Sequence, residues 1–220
     1  MEISTHSFDL VDSKGYVISE NRSLMIIDPC LSSETVDEIS RREFDTVTVL
    51  LTHEHYDHIF GIDSIRSKWK NCKVICASAC AKNIESPLKN GSSHFSALLF
   101  DKGEELYKRA QEIQPVSFKA DAFFSDSLVF RWEDHEVKMV LTPGHSTGSC
   151  CIIIDDQYIF TGDSLLRDVP VITRLPGGSK RMYSSETIPF FLSLDSDMVV
   201  FPGHGEGDTL GNMLKKNGLL

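Results

Sequence analysis

A short polar segment in the first third of the chain has the composition of a metal-binding site. Three histidines and two carboxylates occur within the six residues from His53 to His58, directly after an apolar, β-branched run at 46–52. Neutral imidazole nitrogen and carboxylate oxygen are the ligands that zinc takes when no thiolate binds it. If the chain turns at a strand end, alternate residues diverge, so that His53 and His55 serve one ion while Asp57 and His58 serve a neighbouring one.

Three further potential ligands occur far downstream in a repeated context. His145, Asp163 and His204 each follow an apolar run that ends in a glycine, and glycine permits a sharp turn or a close backbone approach. A single histidine after a strand is ordinarily a surface residue, but the joint occurrence of these sites with the dense segment favours metal binding. Seven ligands suffice for two ions, with one carboxylate bridging them and a water or hydroxide in an open position.

The other histidines and the cysteines lack this context. His6, His94 and His135 are therefore interpreted as structural or surface residues. Cys72, Cys76 and Cys80 are evenly spaced, which is compatible with a metal site, but the alternating run at 73–78 indicates a strand followed by a helix. We favour small buried hydrophobic residues over thiolate ligands for these cysteines.

Composition excludes several classes of function. The 220-residue chain carries a formal charge of −10, which argues against a nucleic-acid partner because phosphate backbones need clustered lysine and arginine. Its N-terminus has neither a basic start nor an apolar signal-length run, and no window reaches the roughly 20 apolar residues of a membrane span. Together with six cysteines, these features lead us to expect a cytoplasmic protein, and the oligomeric state stays open.

The order of predicted elements favours two packed sheets with helices outside, in one domain over residues 1–220. Segment 86–126 is the least regular part, and it is interpreted as either a lid or a structural insertion. Strands are predicted at 2–10, 15–20, 23–29, 46–52, around Val74, and at 128–132, 137–142, 150–155, 158–161 and 198–201. Helices are predicted at about 33–43, 58–69, 98–113 and 185–194, and from Asp208.

These motifs resemble those of the metallo-β-lactamase superfamily. The segment His53-Glu-His-Tyr-Asp-His58 matches its HxHxDH signature, and Thr142-Pro-Gly-His145, Thr161-Gly-Asp163 and Pro202-Gly-His204 match its later motifs in the same order. The nearest likeness is to small glyoxalase II-like hydrolases, including the stretch Arg174-Leu-Pro-Gly-Gly178. The resemblance implies an α/β protein with an αββα sandwich of two mixed sheets.

The resemblance also implies a role for each ligand. One metal is expected on His53, His55 and His145, and a second on Asp57, His58 and His204, with Asp163 bridging them. Two zinc ions are expected, with iron or manganese as alternatives. A metal-bridging hydroxide would be the nucleophile, and Asp57 is expected also to move a proton to the leaving group.

The implied reaction is hydrolysis of a small-molecule or carrier-bound acyl thioester. Glyoxalase II holds glutathione with a basic C-terminal extension, whereas only 16 residues follow His204, so a thiol other than glutathione is expected. Arg174 and Lys180 are candidates for holding an anionic substrate group, and solvated loop charges are an equal alternative. Two other reactions stay open: a mononuclear iron persulfide dioxygenase, which needs two histidines and an aspartate, and a lactone or oxygen-ester hydrolase.

Overall fold

Two β-sheets form the centre of the molecule in the computed structural model, which describes residues 1–167 and 169–220. The first sheet has the order β1 (Glu2–Phe8), β2 (Ser13–Glu20), β3 (Ser23–Ile27), β4 (Thr46–Leu50), β5 (Lys73–Ala77) and β6 (Ala122–Phe124). The second has the order β11 (Val199–Pro202), β10 (Tyr158–Gly162), β9 (Cys150–Ile154), β8 (His135–Leu141) and β7 (Ser127–Trp132).

Both sheets are mixed, because short turns and long crossovers alternate along the chain. The pairs β1–β2 and β2–β3 are antiparallel, whereas β3, β4, β5 and β6 pair in parallel. In the second sheet β7, β8, β9 and β10 pair antiparallel, and β11 joins β10 in parallel. Parallel pairing needs a crossover, and helices supply it.

The helices lie between these strands in sequence, except for the last one, which follows β11. They are α1 (Ser33–Ile39), α2 (Tyr56–Ile59), α3 (Ile62–Lys68), α4 (Ser78–Ile84), a 3-10 helix (Ser92–Leu99), α5 (Glu104–Gln111), α6 (Lys180–Met182), a π-helical turn (Tyr183–Thr187), α7 (Ile188–Leu192) and α8 (Leu210–Lys216). Within the described ranges, no helix has the length and apolar character that crossing a bilayer requires.

The main core includes side chains of both sheets, and a second core includes residues of β9, β10, α7 and α8. Every residue of β3 and β9 is buried, which explains their continuous apolar sequences. Burying one Leu or Ile side chain is worth about 1.5–3 kcal/mol, so these strands fix the sandwich firmly. The predicted class, two mixed sheets flanked by helices, is confirmed.

The cysteines are part of these cores. All six are free and buried. Cys76 lies on β5 and Cys80 on α4, so the predicted separation onto two elements is confirmed. Among the described residues, no candidate metal group contains a cysteine.

Three predicted helices differ from the observed ones. The span 58–69 divides into α2 and α3 at Gly61, where a Cβ atom would lie 2.3 Å from the Pro29 carbonyl oxygen. The span 98–113 is the end of the 3-10 helix and then α5, separated at Gly103, whose φ is 113°. The helix predicted at 185–194 already begins at Lys180 and contains the π-helical turn.

Segment 86–126 packs beside the sandwich through its own small apolar cluster. Phe95, Leu99 and Ala110 bury their side chains against Leu10 of the β1–β2 loop. Arg109 Nη2 donates to both carboxylate oxygens of Asp9, at 2.9 and 2.8 Å. The segment is therefore attached to the β1–β2 loop, and its role as a lid stays a prediction.

Candidate metal centre

The predicted metal ligands lie in loops that follow strands and meet at one edge of the sandwich. The segment from His53 follows β4, and His145, Asp163 and His204 follow β8, β10 and β11. Two groups of three side chains form there, and the potential ligand atoms of each group lie within 4.8 Å of one another. The first group is His53, His55 and His145, and the second is Asp57, His58 and His204.

Asp163 lies between the two groups. Its Oδ2 is 3.5 Å from His145 Nε2 of the first group and 3.5 Å from His204 Nε2 of the second. Its Oδ1 is 3.6 Å from His58 Nε2. One carboxylate thus faces both groups, which is the position that a bridging ligand requires.

Two of the histidines, in their neutral form, present an unprotonated nitrogen to the centre. His145 Nδ1 donates to the carbonyl oxygen of Ile172 at 2.9 Å, and His204 Nδ1 donates to that of Val11 at 3.0 Å. In a neutral imidazole, one donating nitrogen leaves the other as an acceptor. In that form His145 Nε2 directs a lone pair toward His55 Nδ1, 2.9 Å away, and toward Asp163 Oδ2. His204 Nε2 directs one toward Asp163 Oδ2, which is itself an acceptor when ionised.

Buried polar atoms without partners mark the same place. Among the described residues, His53 Nε2 and Asp163 Oδ1 are buried and lack a hydrogen-bond partner. An unpaired buried polar atom is costly, and native proteins nearly always satisfy it. Converging imidazole nitrogens and carboxylate oxygens are satisfied by cations, so this donor set fits divalent metal ions.

Asp28 supports the centre from behind. Its Oδ1 accepts from the Thr52 backbone N–H at 2.7 Å, and its Oδ2 accepts from the Thr52 hydroxyl and from His58 Nδ1, the latter at 3.1 Å. The Thr52 hydroxyl, whose proton goes to Asp28, accepts from His53 Nδ1 at 3.0 Å. Asp28 also lies within 4.8 Å of the His53 and His58 nitrogens, but these hydrogen bonds occupy its oxygens. It orients two histidines, as carboxylates beside metal-binding imidazoles commonly do.

The histidine pKa values shift in opposite directions in the two groups. In the first group, burial and the neighbouring histidines lower the pKa of His53 well below its ordinary value, and burial and His145 lower the pKa of His55 to about 3. These imidazoles are neutral near pH 7 and available as ligands. In the second group, burial lowers the pKa of His58, but Asp57, Asp28 and Asp163 raise it more strongly, to about 10. The carboxylates that favour a proton there favour a metal cation equally.

Glycine is required where the loops approach each other. A Cβ atom at Gly203 would lie 2.2 Å from Asp163 Oδ1, and one at Gly162 would lie 2.3 Å from the Thr52 hydroxyl oxygen. Gly162 also has φ 48°, which side chains disfavour. The glycines before Asp163 and His204 therefore permit contacts that any larger residue would block.

A cleft of about 490 Å³ opens in front of the two groups. The 3-10 helix region and the loop around Arg174 contribute to its walls, and the role of Arg174 in substrate binding stays a prediction. Lys180 is exposed at the start of α6 and is not among the lining residues. Lys89, His94 and Lys102 also line the cleft and were not predicted as site residues. The sequence marked segment 86–126 only as irregular, and the fold places these three residues beside the metal loops.

The family assignment follows from fold and site together. The model of the metallo-beta-lactamase superfamily matches residues 9–204. The chain belongs to this superfamily. The seven ligand assignments stay predictions that this geometry supports.

Several similar proteins carry the names of hydrolases. A probable metallo-hydrolase of Streptococcus pyogenes is 27% identical, with 89% of this chain and 80% of that protein covered. A probable polyketide biosynthesis zinc-dependent hydrolase of Bacillus velezensis is 23% identical, with 92% and 79% covered. The crystal structure of the BLEG-1 B3 metallo-beta-lactamase has a TM-score of 0.80 at 23% identity, covering 98% of both chains. A di-iron-bound structure of TTHA1623 has a TM-score of 0.76 at 21% identity, covering 99% and 100%.

Proposed function

We propose that this protein is a dinuclear zinc hydrolase that cleaves acyl thioesters. The observation that carries the proposal is the position of Asp163, which faces both three-residue groups at 3.5–3.6 Å. The first ion would be held by His53, His55 and His145, the second by Asp57, His58 and His204, and Asp163 would contact both. Two divalent cations supply a hydroxide near neutral pH and polarise a substrate carbonyl.

The chain's own residues orient the reaction. Ile172 and Val11 carbonyls fix the rings of His145 and His204, so their ligand atoms need no rearrangement. Asp57 lies at the cleft with its Oδ2 3.4 Å from His58 Nε2 and 3.4 Å from His204 Nε2. Burial would raise the pKa of Asp57, but His58 and His204 lower it, so this carboxylate is ionised and available as a metal ligand. Transfer of a proton by Asp57 to the leaving group stays a prediction.

A thioester suits such a site better than an oxygen ester. Water adds to the acyl carbon, the carbon–sulfur bond breaks, and the products are a carboxylic acid and a thiol. The leaving thiolate has a conjugate acid with a pKa of about 8.5, so it needs little help from a protein acid. Similarity to a zinc-dependent hydrolase supports zinc, while a di-iron structural neighbour makes iron the alternative that metal analysis must test.

The mononuclear iron alternative explains less of this site. It needs two histidines and an aspartate, and it gives no role to the complete second group of Asp57, His58 and His204. The decisive kinetic test compares kcat/KM on thioester and oxygen-ester pairs with the same acyl group, because the ratio reports differential transition-state binding. We expect the thioester to be preferred at least about tenfold. Equal rates would favour a general esterase, and oxygen consumption with a persulfide would favour the dioxygenase.

A further inference from the structure

Three basic residues line the cleft although the protein as a whole is acidic. Lys89, Lys102 and Arg174 line it, and none of them forms an ion pair with another described residue. The formal charge of the chain is −10, so these three unpaired positive side chains have the opposite sign to the net charge of the protein. Apart from Asp57 and Asp163 of the metal groups, Asp101 is the acidic side chain among the lining residues.

The wall that carries Lys89 is attached directly to the metal loop. The carbonyl oxygen of the next residue, Asn90, accepts from the backbone N–H of Tyr56 at 2.8 Å. Asn90 is fully buried, and its side-chain amide donates to the carbonyl oxygens of Ile84 and Val116 at 3.2 and 2.9 Å. The backbone of Lys89 is therefore held beside the loop of His55 and Asp57.

The part of the lining that carries Arg174 is attached to the same centre. His145 Nδ1 donates to the carbonyl oxygen of Ile172, two residues before Arg174. A charge on each wall, both anchored to metal loops, can act on one bound molecule. Preorganised walls of this kind limit the conformational cost of binding.

Apolar side chains line the cleft between these charges. Leu88, Leu98 and Ile172 are 71%, 49% and 41% exposed although all three are large and apolar. Single exposed apolar residues are ordinary, but several lining one cleft mark a ligand-binding surface. The occupant that fits has an uncharged stretch and an anionic group at some distance from the scissile bond.

We propose that Lys89, Lys102 and Arg174 bind the phosphate of a phosphate-linked pantetheine arm, the thiol part of the substrate. The identity of the arm rests on the proposed thioesterase function. Leu88, Leu98 and Ile172 contact its uncharged stretch, and the thioester carbonyl reaches the metal groups. A phosphate presents acceptor oxygens on several sides, so separate cations contact it simultaneously, whereas a carboxylate presents two oxygens in one plane.

The test measures binding without turnover. S-methyl 4′-phosphopantetheine and S-methyl pantetheine differ by one phosphate, and methylation prevents the sulfur from binding the metal as a thiolate. Calorimetric titration of the metal-loaded full chain gives a Kd for each probe. We expect the phosphorylated probe to bind about tenfold tighter or better, the size expected of a charge-assisted contact. The preference should decrease with added salt.

Variants assign the preference to residues. Lys89→Gln, Lys102→Gln and Arg174→Gln should each reduce the ratio of the two Kd values, and the triple variant should bring it close to one. Lys119→Gln is the matched control, because Lys119 is an exposed lysine of segment 86–126 that does not line the cleft, and it should keep the wild-type ratio. The same phosphate occurs in coenzyme A and in the arm of a carrier protein. Titrations with the S-methyl form of each compare the Kd values of these two sources.

The outcomes separate this inference from the proposed reaction. A wild-type ratio near one, or a ratio that the triple variant leaves unchanged, would overturn the phosphate site even if thioesters are hydrolysed. A large ratio that the triple variant abolishes would support the site even if thioester hydrolysis were absent, and would then reject the reaction alone.

Discussion

The Nε2 atoms of His58 and His204 lie 3.3 Å apart, although the Nδ1 atom of each is directed to a different oxygen acceptor. If both imidazoles are neutral, the lone pairs of their Nε2 atoms point at each other and repel. A cation between the two nitrogens, either a proton or a metal ion, removes this repulsion. Asp57 and Asp163 close to both nitrogens make the cation favourable.

Removing the charge of Asp163 should release metal. Asp163→Asn keeps the shape of the side chain but removes a negative charge that faces both groups. We expect metal affinity to decrease by more than about 100-fold, the upper range for loss of a supporting carboxylate, and activity to decrease with it. Elemental analysis after dialysis measures the first effect. Asp134→Asn, at an exposed turn, is the control, and a variant of Asp163 with both ions and normal turnover would show that the bridge is misassigned.

Asp28 should affect metal affinity without contacting metal. Asp28→Asn fits the same left-handed backbone, since asparagine tolerates the φ of 50°, but it weakens acceptance from His58 Nδ1 and the Thr52 hydroxyl. The expected loss of metal affinity is about 10- to 100-fold. Competition with a chromogenic chelator gives the affinity directly. Unchanged affinity would mean that Asp28 has only a structural role in the β3–α1 loop.

Gly203 should be irreplaceable for steric reasons. In Gly203→Ala the new Cβ atom would meet Asp163 Oδ1 at 2.2 Å, so the carboxylate must move. We expect a loss of bound metal together with about 1–3 kcal/mol of unfolding free energy. Gly211→Ala, where the nearest atom is Ser196 Cβ at 3.1 Å, is the control and should change stability by less than about 1 kcal/mol. Full metal content in Gly203→Ala would contradict the observed packing.

His135 should make stability depend on pH at the far side of the sandwich. Its two ring nitrogens contact the carboxylates of Asp155 and Glu20, so both nitrogens must carry protons. The hydrogen bond to Asp155 raises the pKa of His135, burial lowers it, and the hydrogen bond to Glu20 raises it further, so that the net shift is upward. The pKa values of the Glu20 and Asp155 carboxylates are lowered. This stabilisation is complete at pH values below the ordinary histidine pKa of about 6.5, provided that the carboxylates stay ionised, and it is lost as the pH rises through the raised value.

Chemical denaturation of the wild type and His135→Gln at several pH values tests this. The difference in unfolding free energy should be larger at pH 6 than at pH 9. A difference that is constant with pH, or that grows as the pH rises, would show that His135 is neutral in the folded protein.

Much of the site could be predicted because histidine and aspartate are recognisable in the sequence as residue types that bind metal ions. The pattern of histidines and aspartates after apolar strands led to seven predicted ligands, and the fold places six of them in two groups of three with Asp163 between the groups. Asp28, which also lies beside His53 and His58, was not identified from the sequence. His94 could not be found this way, because it lines the cleft only through the path of segment 86–126. Lys180 was predicted beside Arg174 on sequence proximity, but α6 begins at Lys180 and takes the chain away from the cleft wall.

The fold could be predicted where periodicity is strong and less well where close packing decides. β3 and β9 are mainly apolar runs and β4 is rich in β-branched residues, and the positions of all three agree with the sequence within a few residues. The break at Gly61 depends on the Pro29 carbonyl, and the π-helical turn begins at Tyr183, which packs against Gly144. Both depend on residues distant in sequence, which local patterns do not contain.

Metal stoichiometry tests the central claim most directly. Protein freed of metal with a chelator is titrated with zinc by calorimetry, while thioester hydrolysis is measured on the same samples. The account predicts two zinc ions per chain, with full activity reached only when the second ion has bound. A single ion per chain at full activity would contradict it.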